Sequence, residues 1–267
     1  MIADFRGKTV LVTGGTMGIG LATALAFGRR GARCTVTYRW GSADENEVQR
    51  RFADAGAPAP LVLEADASQS EATDRLLGEM RARQERVDVF VSNVSQAALV
   101  GGLGDYALRG LLKTLEYSTW PMVEYTRKIR QVFGHYPRYV VGMSSTGTDD
   151  FCVGYDLMAA SKAVMETLCR YLSYRLFDED VRINIVRTRN VRTASLQSAF
   201  GAEFDRFARR FTRERHFVEA HEVADVVVAL CSGLLDGVRG QVITVDRGMS
   251  FFDNLMRLYD DREALGL

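Results

Sequence analysis

The 267-residue sequence contains few lysines, prolines, cysteines and histidines. Only four of its 34 basic residues are lysine, and there are four prolines, four cysteines and three histidines. So few prolines leave no proline-rich linker between domains. The four cysteines are far apart and lack the C-x-x-C spacing of a redox motif or a zinc site. Their spacing argues against a disulfide framework and favours a reducing compartment.

Neither an excess of one charge nor a long apolar run is present. The 34 basic and 34 acidic residues give a formal net charge of zero. General binding to nucleic acid or to acidic membranes needs a basic excess. No run approaches the roughly 18 apolar residues of a membrane span, and the first residues lack a signal-peptide pattern. We therefore expect a cytoplasmic protein without a nucleic-acid or membrane partner.

The histidines give no indication of a metal site. His216 and His221 lie five residues apart among charged side chains, and His135 is far from both. Such a setting indicates a solvated stretch rather than a pair of metal ligands. The sequence therefore predicts no bound metal.

Short apolar runs alternate with longer helical patterns along the whole chain. The runs are rich in β-branched residues and mostly continuous, which is typical of strands covered on both faces. This alternation predicts a parallel sheet with right-handed crossovers. We predict one α/β domain over residues 1–267, a doubly wound Rossmann-like sheet of about seven strands with helices on both faces. The predicted strands are 9–13, 34–38, 61–64, 87–92, 139–143, 182–186 and 242–245. The predicted helices are 19–30, 45–55, 71–83, 108–133, 158–176 and 220–230.

Residues 13–20 read T-G-G-T-M-G-I-G between the first predicted strand and the first predicted helix. Glycines allow a tight turn and a close approach to a pyrophosphate, and the helix N-terminus supplies N–H donors. The motif therefore predicts dinucleotide binding; a tight turn without a ligand is the alternative.

The end of the second predicted strand indicates which dinucleotide is preferred. NAD enzymes usually place an Asp here for the ribose 2′-OH, but this chain has Arg39 and no acid before Asp44. An arginine can pair with a 2′-phosphate. We predict NADP rather than NAD. The alternative is that Arg39 is simply solvated. Met17 also counts against NADP, because many NADP-preferring proteins have a basic residue at that position.

The spacing T-G-x-x-x-G-I-G resembles that of the short-chain dehydrogenase/reductase superfamily. Ala65-Asp66-Ala67 is similar to the adenine-contacting D-V of that family. Asn93, in S-N-V-S, is similar to an Asn of its N-N-A-G motif, and residues 240–248 resemble its G-Q-x-x-x-V-D-G-G. The resemblance covers nearly the whole chain and implies an NAD(P)-dependent oxidoreductase.

The spacing around Lys162 differs from the usual Tyr-x-x-x-Lys of this superfamily. Met158 stands four residues before Lys162, and a thioether cannot donate a proton; Tyr155 stands seven before it. Seven residues return to the same helix face within about 20°, one turn or about 5 Å further along. Such a shift suits an enoyl thioester, because charge then develops on an oxygen two carbons from the hydride acceptor. It suits a ketone less well.

Tyr-x6-Lys resembles the bacterial enoyl-[acyl carrier protein] reductases of this superfamily. Ser118 stands where ordinary members have Asn, and Asn190-Val191-Arg192-Thr193 is similar to their G-P-I-R-T. The resemblance implies that Tyr155 stabilises the enolate, that Lys162 holds the nicotinamide ribose and that Ser145 assists the carbonyl. It implies cofactor contacts from residues along the chain: Gly14, Thr16, Met17, Gly18, Ile19, Tyr38, Arg39, Asp66, Ala67, Asn93, Lys162, Val191 and Thr193.

Residues 191–216 lie between a strand and the last predicted helix, and we expect them to be partly helical and to cover the substrate. Phenylalanines at helical spacing form either core packing or a lid over an acyl chain: Phe200, Phe204, Phe207 and Phe211. Nearby arginines suit an acidic acyl carrier protein or are solvated: Arg206, Arg209, Arg210, Arg213 and Arg215.

Arg187, Arg189, Ser95 and Arg247 depart from the family pattern. Bulky or charged replacements near a cofactor or substrate mouth suggest a specialised substrate, such as a biosynthetic acyl chain or polyketide. Three alternatives to enoyl reduction stay open: a ketoreductase or alcohol dehydrogenase, a non-catalytic NADP-binding sensor, and a redox-neutral cyclase or dehydratase. The resemblance also implies a homotetramer.

Overall fold

The computed structural model describes residues 4–83, 86–96, 98–213 and 216–266. The strands in these residues are β1 (Thr9–Val12), β2 (Arg33–Tyr38), β3 (Leu61–Glu64), β4 (Val89–Ser92), β5 (Tyr139–Ser145), β6 (Arg182–Thr188) and β7 (Val242–Val245). The helices are α1 (Gly18–Gly28), α2 (Glu45–Asp54), α3 (Ser70–Arg83), α4 (Leu108–Ser118), α5 (Trp120–Phe133), α6 (Asp156–Arg175), α7 (Ala194–Phe211), α8 (Ala220–Leu230) and α9 (Asn254–Leu265). Each predicted strand is present, within a few residues of its expected bounds.

The strands form one sheet in the order β3-β2-β1-β4-β5-β6-β7, and every pair is parallel. The chain leaves β1 in one direction through β2 and β3, and then returns to place β4 on the other side of β1. Ligands of such sheets bind in the crevice at this reversal, beyond the carboxyl ends of the strands. The predicted doubly wound, Rossmann-like fold is therefore confirmed, and the crevice beyond β1 and β4 is the expected site.

Two apolar clusters cover the two faces of the sheet. Within β1, Val10 and Val12 belong to one cluster and Leu11 to the other, and all three are fully buried. One cluster packs α1, α2 and α8 against the sheet, and the other packs α3, α5 and α6. Burial on both faces explains why the strand sequences are continuously apolar rather than alternating.

The predicted helix 108–133 is two helices, α4 and α5, because the chain bends at Thr119 (φ −123°, ψ −54°). Pro121 lies in the first turn of α5, where its missing N–H is tolerated. In one continuous helix that N–H would have bonded to the carbonyl of Tyr117. At the bend, the Thr119 hydroxyl donates to the Ser161 carbonyl at 2.6 Å, and this bond links the bend to α6.

Two helices near the C-terminus differ from expectation. α7 is interrupted at Gly201 (φ 73°, ψ 174°), so residues 191–216 are partly helical but do not carry a continuous helical stripe. α9 was not predicted, although Asp253 accepts from the Met256 N–H as its N-cap and Gly266 ends it in the left-handed region. Those two capping residues were the available signal. No helix of the described ranges is long and apolar enough to cross a membrane.

Candidate functional site

The glycine-rich loop after β1 requires glycine at several positions. Gly14 and Gly18 have positive φ values of 61° and 55°. A Cβ on Gly20 would lie 2.2 Å from the Gly14 carbonyl oxygen. The loop then opens directly into the N-terminus of α1 at Gly18. This bare backbone beside free helix N–H groups has the form of a pyrophosphate cradle.

Asn93, at the end of β4, holds this loop in place. Its side-chain amide donates to the carbonyls of Thr13 at 3.1 Å and Gly14 at 3.0 Å, and its backbone N–H donates to the Thr13 hydroxyl. Asn93 also lines the cavity beside the loop. Its amide is thus used mainly to join the two central strands.

A cavity of about 780 Å³ extends from this loop along the carboxyl ends of the strands. Every residue that the sequence predicted for the cofactor or for catalysis lines it. Residues far apart in the chain meet there because the carboxyl ends of parallel strands share one edge of the sheet. The members are Gly14, Thr16, Met17, Gly18, Ile19, Tyr38, Arg39, Asp66, Ala67, Asn93, Ser145, Tyr155, Lys162, Val191 and Thr193.

The part of the cavity beyond β2 contains Arg39 and its neighbours, and we call it the β2 end. The guanidinium of Arg39 lies between two aromatic rings, 3.4 Å from the Trp40 centroid and 4.4 Å from that of Tyr117. It donates to Gln96 and lies 3.5 Å from Asp66. Nη1 of Arg39 is buried without a hydrogen bond. An anionic ligand could satisfy this atom.

The opposite part of the cavity, which we call the β5 end, contains Ser145, Tyr155 and Lys162. Ser145 ends β5, and Tyr155 is the residue immediately before α6. Both side chains line the cavity, and the Ser145 hydroxyl accepts from the Gly147 N–H at 3.2 Å. Burial raises the pKa of Tyr155, and the Ser145 hydroxyl opposes that shift. Tyr155 is therefore protonated near neutral pH and can donate to a substrate oxygen.

The Tyr155 ring packs against Gly147 in the turn after β5. A Cβ at Gly147 would lie 2.7 Å from Cδ1 of this ring, so a larger residue there would displace the tyrosine. The first hydrogen bond of α6 runs from the Ala159 N–H to the Tyr155 carbonyl at 2.7 Å. The turn and the helix thus fix Tyr155 from both sides.

Lys162 lies on α6 with its side chain buried. Its ammonium donates to the Ser95 hydroxyl at 2.6 Å and to the Ser118 carbonyl at 3.4 Å. Burial lowers the pKa of Lys162 to about 7, against the attraction of the Glu166 carboxylate one turn further along α6. Its charge therefore changes close to neutral pH.

A buried ion pair lies below Lys162. Arg187 of β6 donates to both carboxylate oxygens of Glu166, at 3.1 and 2.6 Å, and also to Asp149. Ser144 donates to the same carboxylate at 2.6 Å. This bidentate pair connects β5, β6, α6 and the turn that leads to Tyr155.

The other departures from the family pattern have similar explanations. Arg189 pairs with Asp150 at 2.6 Å at the cavity wall. Arg247, in the left-handed region at φ 55°, forms a two-point pair with Glu222 at 3.1 and 2.7 Å. Arg187 does not line the cavity, so its interpretation as a mark of a specialised substrate is replaced by an internal structural role.

Comparison with known proteins identifies the family to which this dinucleotide-type fold and cavity belong. Residues 14–250 match the family described as enoyl-(acyl carrier protein) reductase. The chain belongs to this family. It is an NAD(P)-dependent short-chain oxidoreductase, as the glycine motif and the Lys162 segment predicted.

Three known proteins show the range of the similarity. The NADH-dependent enoyl-[acyl-carrier-protein] reductase of Aquifex aeolicus is 26% identical over 251 residues, which cover 91% of each chain. The 1-cyclohexenylcarbonyl-CoA reductase of Streptomyces collinus is 24% identical over 253 residues, covering 92% of this chain and 88% of that protein. A solved structure of an actinorhodin polyketide ketoreductase variant with NADPH superposes with a TM-score of 0.81 at 23% identity, covering 92% and 98%. The last comparison concerns the fold alone.

In this enoyl-reductase-type chain, Val191 and Thr193 face the glycine loop. Val191 is buried and forms an isolated parallel bridge with Val218. A Cβ on Gly18 would lie 3.6 Å from Cγ2 of Thr193. The bridge holds the segment after β6 beside the N-terminus of α1, where both residues were predicted to contact the cofactor.

The phenylalanines and arginines of α7 have separate environments. Phe204 lines the cavity, whereas Phe207 is exposed and packs on Phe211 with ring centroids 4.8 Å apart. Arg213 pairs with the buried Asp261 of α9. These three phenylalanines therefore do not share one environment, since only Phe204 lines the cavity. The Phe200 side chain and residue Arg215 lie outside what the structure describes.

His216 is buried rather than solvated, which corrects the sequence interpretation. Only 7% of its surface is exposed, and its ring centroid lies 6.0 Å from that of Phe252. The charged neighbours in the sequence did not reveal that the C-terminal segment covers it. Within the described ranges, no group of three or more His, Cys, Asp or Glu side chains is placed to hold a metal ion.

Sequence reasoning missed the apolar wall of this enoyl-reductase-type cavity. Leu99, Phe151 and Val153 line it and are respectively 63%, 87% and 69% exposed. Cys152 and Gln96 also line it. The run Phe151-Cys152-Val153, separated from Tyr155 by Gly154, was the available signal, because apolar residues in a polar loop mark a binding surface.

Proposed function

We propose that this protein is an NADPH-dependent reductase of the carbon–carbon double bond of an enoyl thioester. The observation that carries the proposal is the seven-residue step from Tyr155 to Lys162, with both side chains on one cavity. This step sets the hydroxyl about one helical turn further from the lysine than a four-residue step would. Such a displacement suits an oxygen two carbons from the position that accepts hydride.

The cavity fits a nicotinamide dinucleotide. The glycine loop and the N-terminus of α1 would hold the pyrophosphate, and Lys162 would hold the nicotinamide ribose. Val191 and Thr193, beside the same loop, would hold the nicotinamide amide and the phosphates. When bound, the reduced nicotinamide supplies the hydride.

Tyr155 supplies the electrostatic part of the reaction. Its hydroxyl donates a hydrogen bond to the thioester carbonyl and stabilises the negative charge that develops there, as a preorganised oxyanion donor. Ser145, which lines the same cavity, can donate to the same oxygen. The positive charge of Lys162 stabilises the same developing charge.

Arg39 supports NADPH over NADH. Its guanidinium lines the cavity, and its buried Nη1 lies 3.5 Å from Asp66 without a hydrogen bond, so a 2′-phosphate would provide a closer acceptor. The end of β2 reads Tyr38-Arg39-Trp40 and so lacks the acidic residue that NAD enzymes usually place there. The Aquifex relative is named as NADH-dependent, so the preference is a proposal for this chain alone.

The apolar mouth supports an acyl substrate. Leu99, Phe151, Val153 and Phe204 line the cavity and offer a surface for a biosynthetic acyl chain. Two exposed arginines of α7, Arg206 and Arg210, lie two and six residues after Phe204 in the chain. They suit the acidic surface of an acyl carrier protein.

The test is to supply NADPH with crotonyl-CoA, with an enoyl chain on an acyl carrier protein and, separately, with a panel of ketones. We expect NADPH oxidation with the enoyl thioesters and a saturated thioester as the product by mass spectrometry. The same reactions with NADH measure the cofactor preference. Oxidation with the ketones alone would reject the proposal.

A ketoreductase is the second candidate, and one observation favours it. The Ser145 and Tyr155 hydroxyls line the same cavity and can polarise a ketone oxygen as readily as they can stabilise an enolate. The reactions above separate the two functions, since carbonyl reduction yields an alcohol and conjugate reduction yields a saturated carbonyl compound.

A further inference from the structure

The buried ammonium of Lys162 has an unusual partner in the loop after β4. Its Nζ lies 2.6 Å from the Ser95 hydroxyl, closer than the 3.4 Å to the Ser118 carbonyl. Lys162 is 2% exposed, whereas Ser95 is exposed and lines the cavity. The hydroxyl is thus the point where a buried cation meets the open cavity.

Ser95 stands at the last position of the strand motif, S-N-V-S, where the family motif N-N-A-G ends in glycine. A glycine offers no side chain to Lys162. The next residue fixes the loop, because the Gln96 N–H donates to the Ser118 hydroxyl at 2.9 Å and the Gln96 carbonyl accepts from it at 3.1 Å. The loop that carries Ser95 is therefore fixed near the lysine by two part-buried hydrogen bonds between the Gln96 backbone and the Ser118 hydroxyl.

We propose that Ser95 is a positioning residue whose hydroxyl holds the Lys162 ammonium at the cofactor cavity. The proposal rests on the proposed function only in that Lys162 contacts a bound dinucleotide. A charged hydrogen bond offsets part of the cost of burying an ammonium. It also restricts the flexible lysine side chain to one direction, toward the space a cofactor ribose would occupy.

Other charged groups around Lys162 are already engaged. Glu166 on the same helix is paired with Arg187, and Arg187 also contacts Asp149. Along the cavity, Arg189 is paired with Asp150. Arg39 and Asp66 also line the cavity and lie 3.5 Å from each other. Tyr155 and Cys152 line it as well, and burial raises the pKa of each.

Loss of the Ser95 hydroxyl removes a hydrogen-bond acceptor that favours the charged form of the amine. Burial already lowers the pKa of Lys162 to about 7. Without the hydroxyl, the lysine should lose its proton at a lower pH than in the parent protein. A structural serine elsewhere would not move this titration.

The experiment measures NADPH binding by titration calorimetry between pH 6 and 9 for the parent protein and for Ser95→Ala, Ser95→Gly and Ser95→Thr. Ser232→Ala is the matched control, because the Ser232 hydroxyl follows α8, donates to the Ala229 carbonyl and accepts from the Leu234 N–H, and Ser232 does not line the cavity. We expect Kd at pH 7 to rise about fivefold in the Ala and Gly variants. The pH at which binding weakens should fall by about one pH unit. Thr should restore parental binding.

The cofactor phosphate titrates equally in every variant, so differences between variants report the protein. Unchanged Kd and unchanged pH dependence in Ser95→Ala would overturn the proposal. So would a Thr variant that behaves like the Ala variant. Failure of the proposed function would appear separately, as NADPH binding without oxidation by enoyl thioesters.

Discussion

The two ends of the cavity hold their charges in different ways. At the β2 end, Arg39 lies between aromatic rings, and one of them, Trp40, is 68% exposed. At the β5 end, Lys162 and Glu166 are 2% and 5% exposed and are held by a network from several elements. The Arg39 side chain is itself 19% exposed, but its charge is held by few polar partners. Such a charge can be exchanged with smaller effects on folding than a buried charge that depends on several partners.

This difference assigns different consequences to the two ends. Changes at the β2 end should alter which dinucleotide binds and leave stability nearly unchanged. Changes at the β5 end should alter the reaction rate or the stability of the whole domain, since its side chains connect β5, β6 and α6.

The largest effect is expected for Tyr155→Phe at the β5 end. Removal of the donor to the developing oxyanion should lower kcat by about 10²–10³-fold. NADPH affinity should change little, because the ring is retained. Steady-state kinetics and calorimetry measure the two quantities. Tyr171→Phe, an exposed tyrosine on the same helix, is the control and should keep full activity.

A Tyr155→Phe variant with more than a tenth of the parental kcat would show that the hydroxyl is not the main donor. The β5 end would then lose its distinction from the β2 end, since its central residue would affect neither rate nor binding.

The next largest effect is expected for Arg187→Met. It leaves the Glu166 carboxylate buried without its bidentate partner and should lower the free energy of unfolding by about 3 kcal/mol. Chemical denaturation near neutral pH measures this loss.

Two controls accompany that measurement. Arg50→Met removes an exposed arginine paired with Glu47 and Asp54, and should cost less than about 0.5 kcal/mol. The double variant Arg187→Met with Glu166→Met should recover much of the lost stability, because no unpaired charge remains. Equal losses in the single and double variants would contradict the role of the ion pair.

The smallest effect is expected at the β2 end, for Arg39→Ala. The kcat/KM for NADPH should fall about 30-fold through the lost 2′-phosphate pairing, while that for NADH changes less than about threefold. Thermal unfolding should be nearly unchanged. Arg51→Ala, on exposed α2, is the control. An equal decrease with both cofactors would assign Arg39 to adenine packing instead of phosphate selection.

Local patterns predicted most of the fold because they report local physics. The continuous apolar strands 9–13 and 139–143 indicated a sheet covered on both faces, which the structure confirms. The break at Thr119 and the interruption at Gly201 were missed, although Pro121 and Gly201 are visible in the sequence. A single proline or glycine only permits a break, and the packing of α5 and α7 determines whether it occurs.

The cavity-lining residues could be predicted because they belong to short motifs whose residue spacing determines the local geometry. The glycine loop, Tyr155 and Lys162 belong to short stretches in which the spacing determines the face of a helix or the shape of a turn. Arg187 and Ser95 were recognised only as departures from a pattern. Their partners, Glu166 and Lys162, are far away in the chain, and no local spacing connects them.

The sequence by itself determined the order of strands and helices, the glycine loop and the step from Tyr155 to Lys162, since each depends on neighbours within about two helical turns. Only the tertiary structure decided which charges are used internally and which face the cavity. Burial is a property of packing between distant segments. Hence only the structure shows that Arg187 pairs with Glu166, that His216 is buried and that Ser95 contacts the buried Lys162.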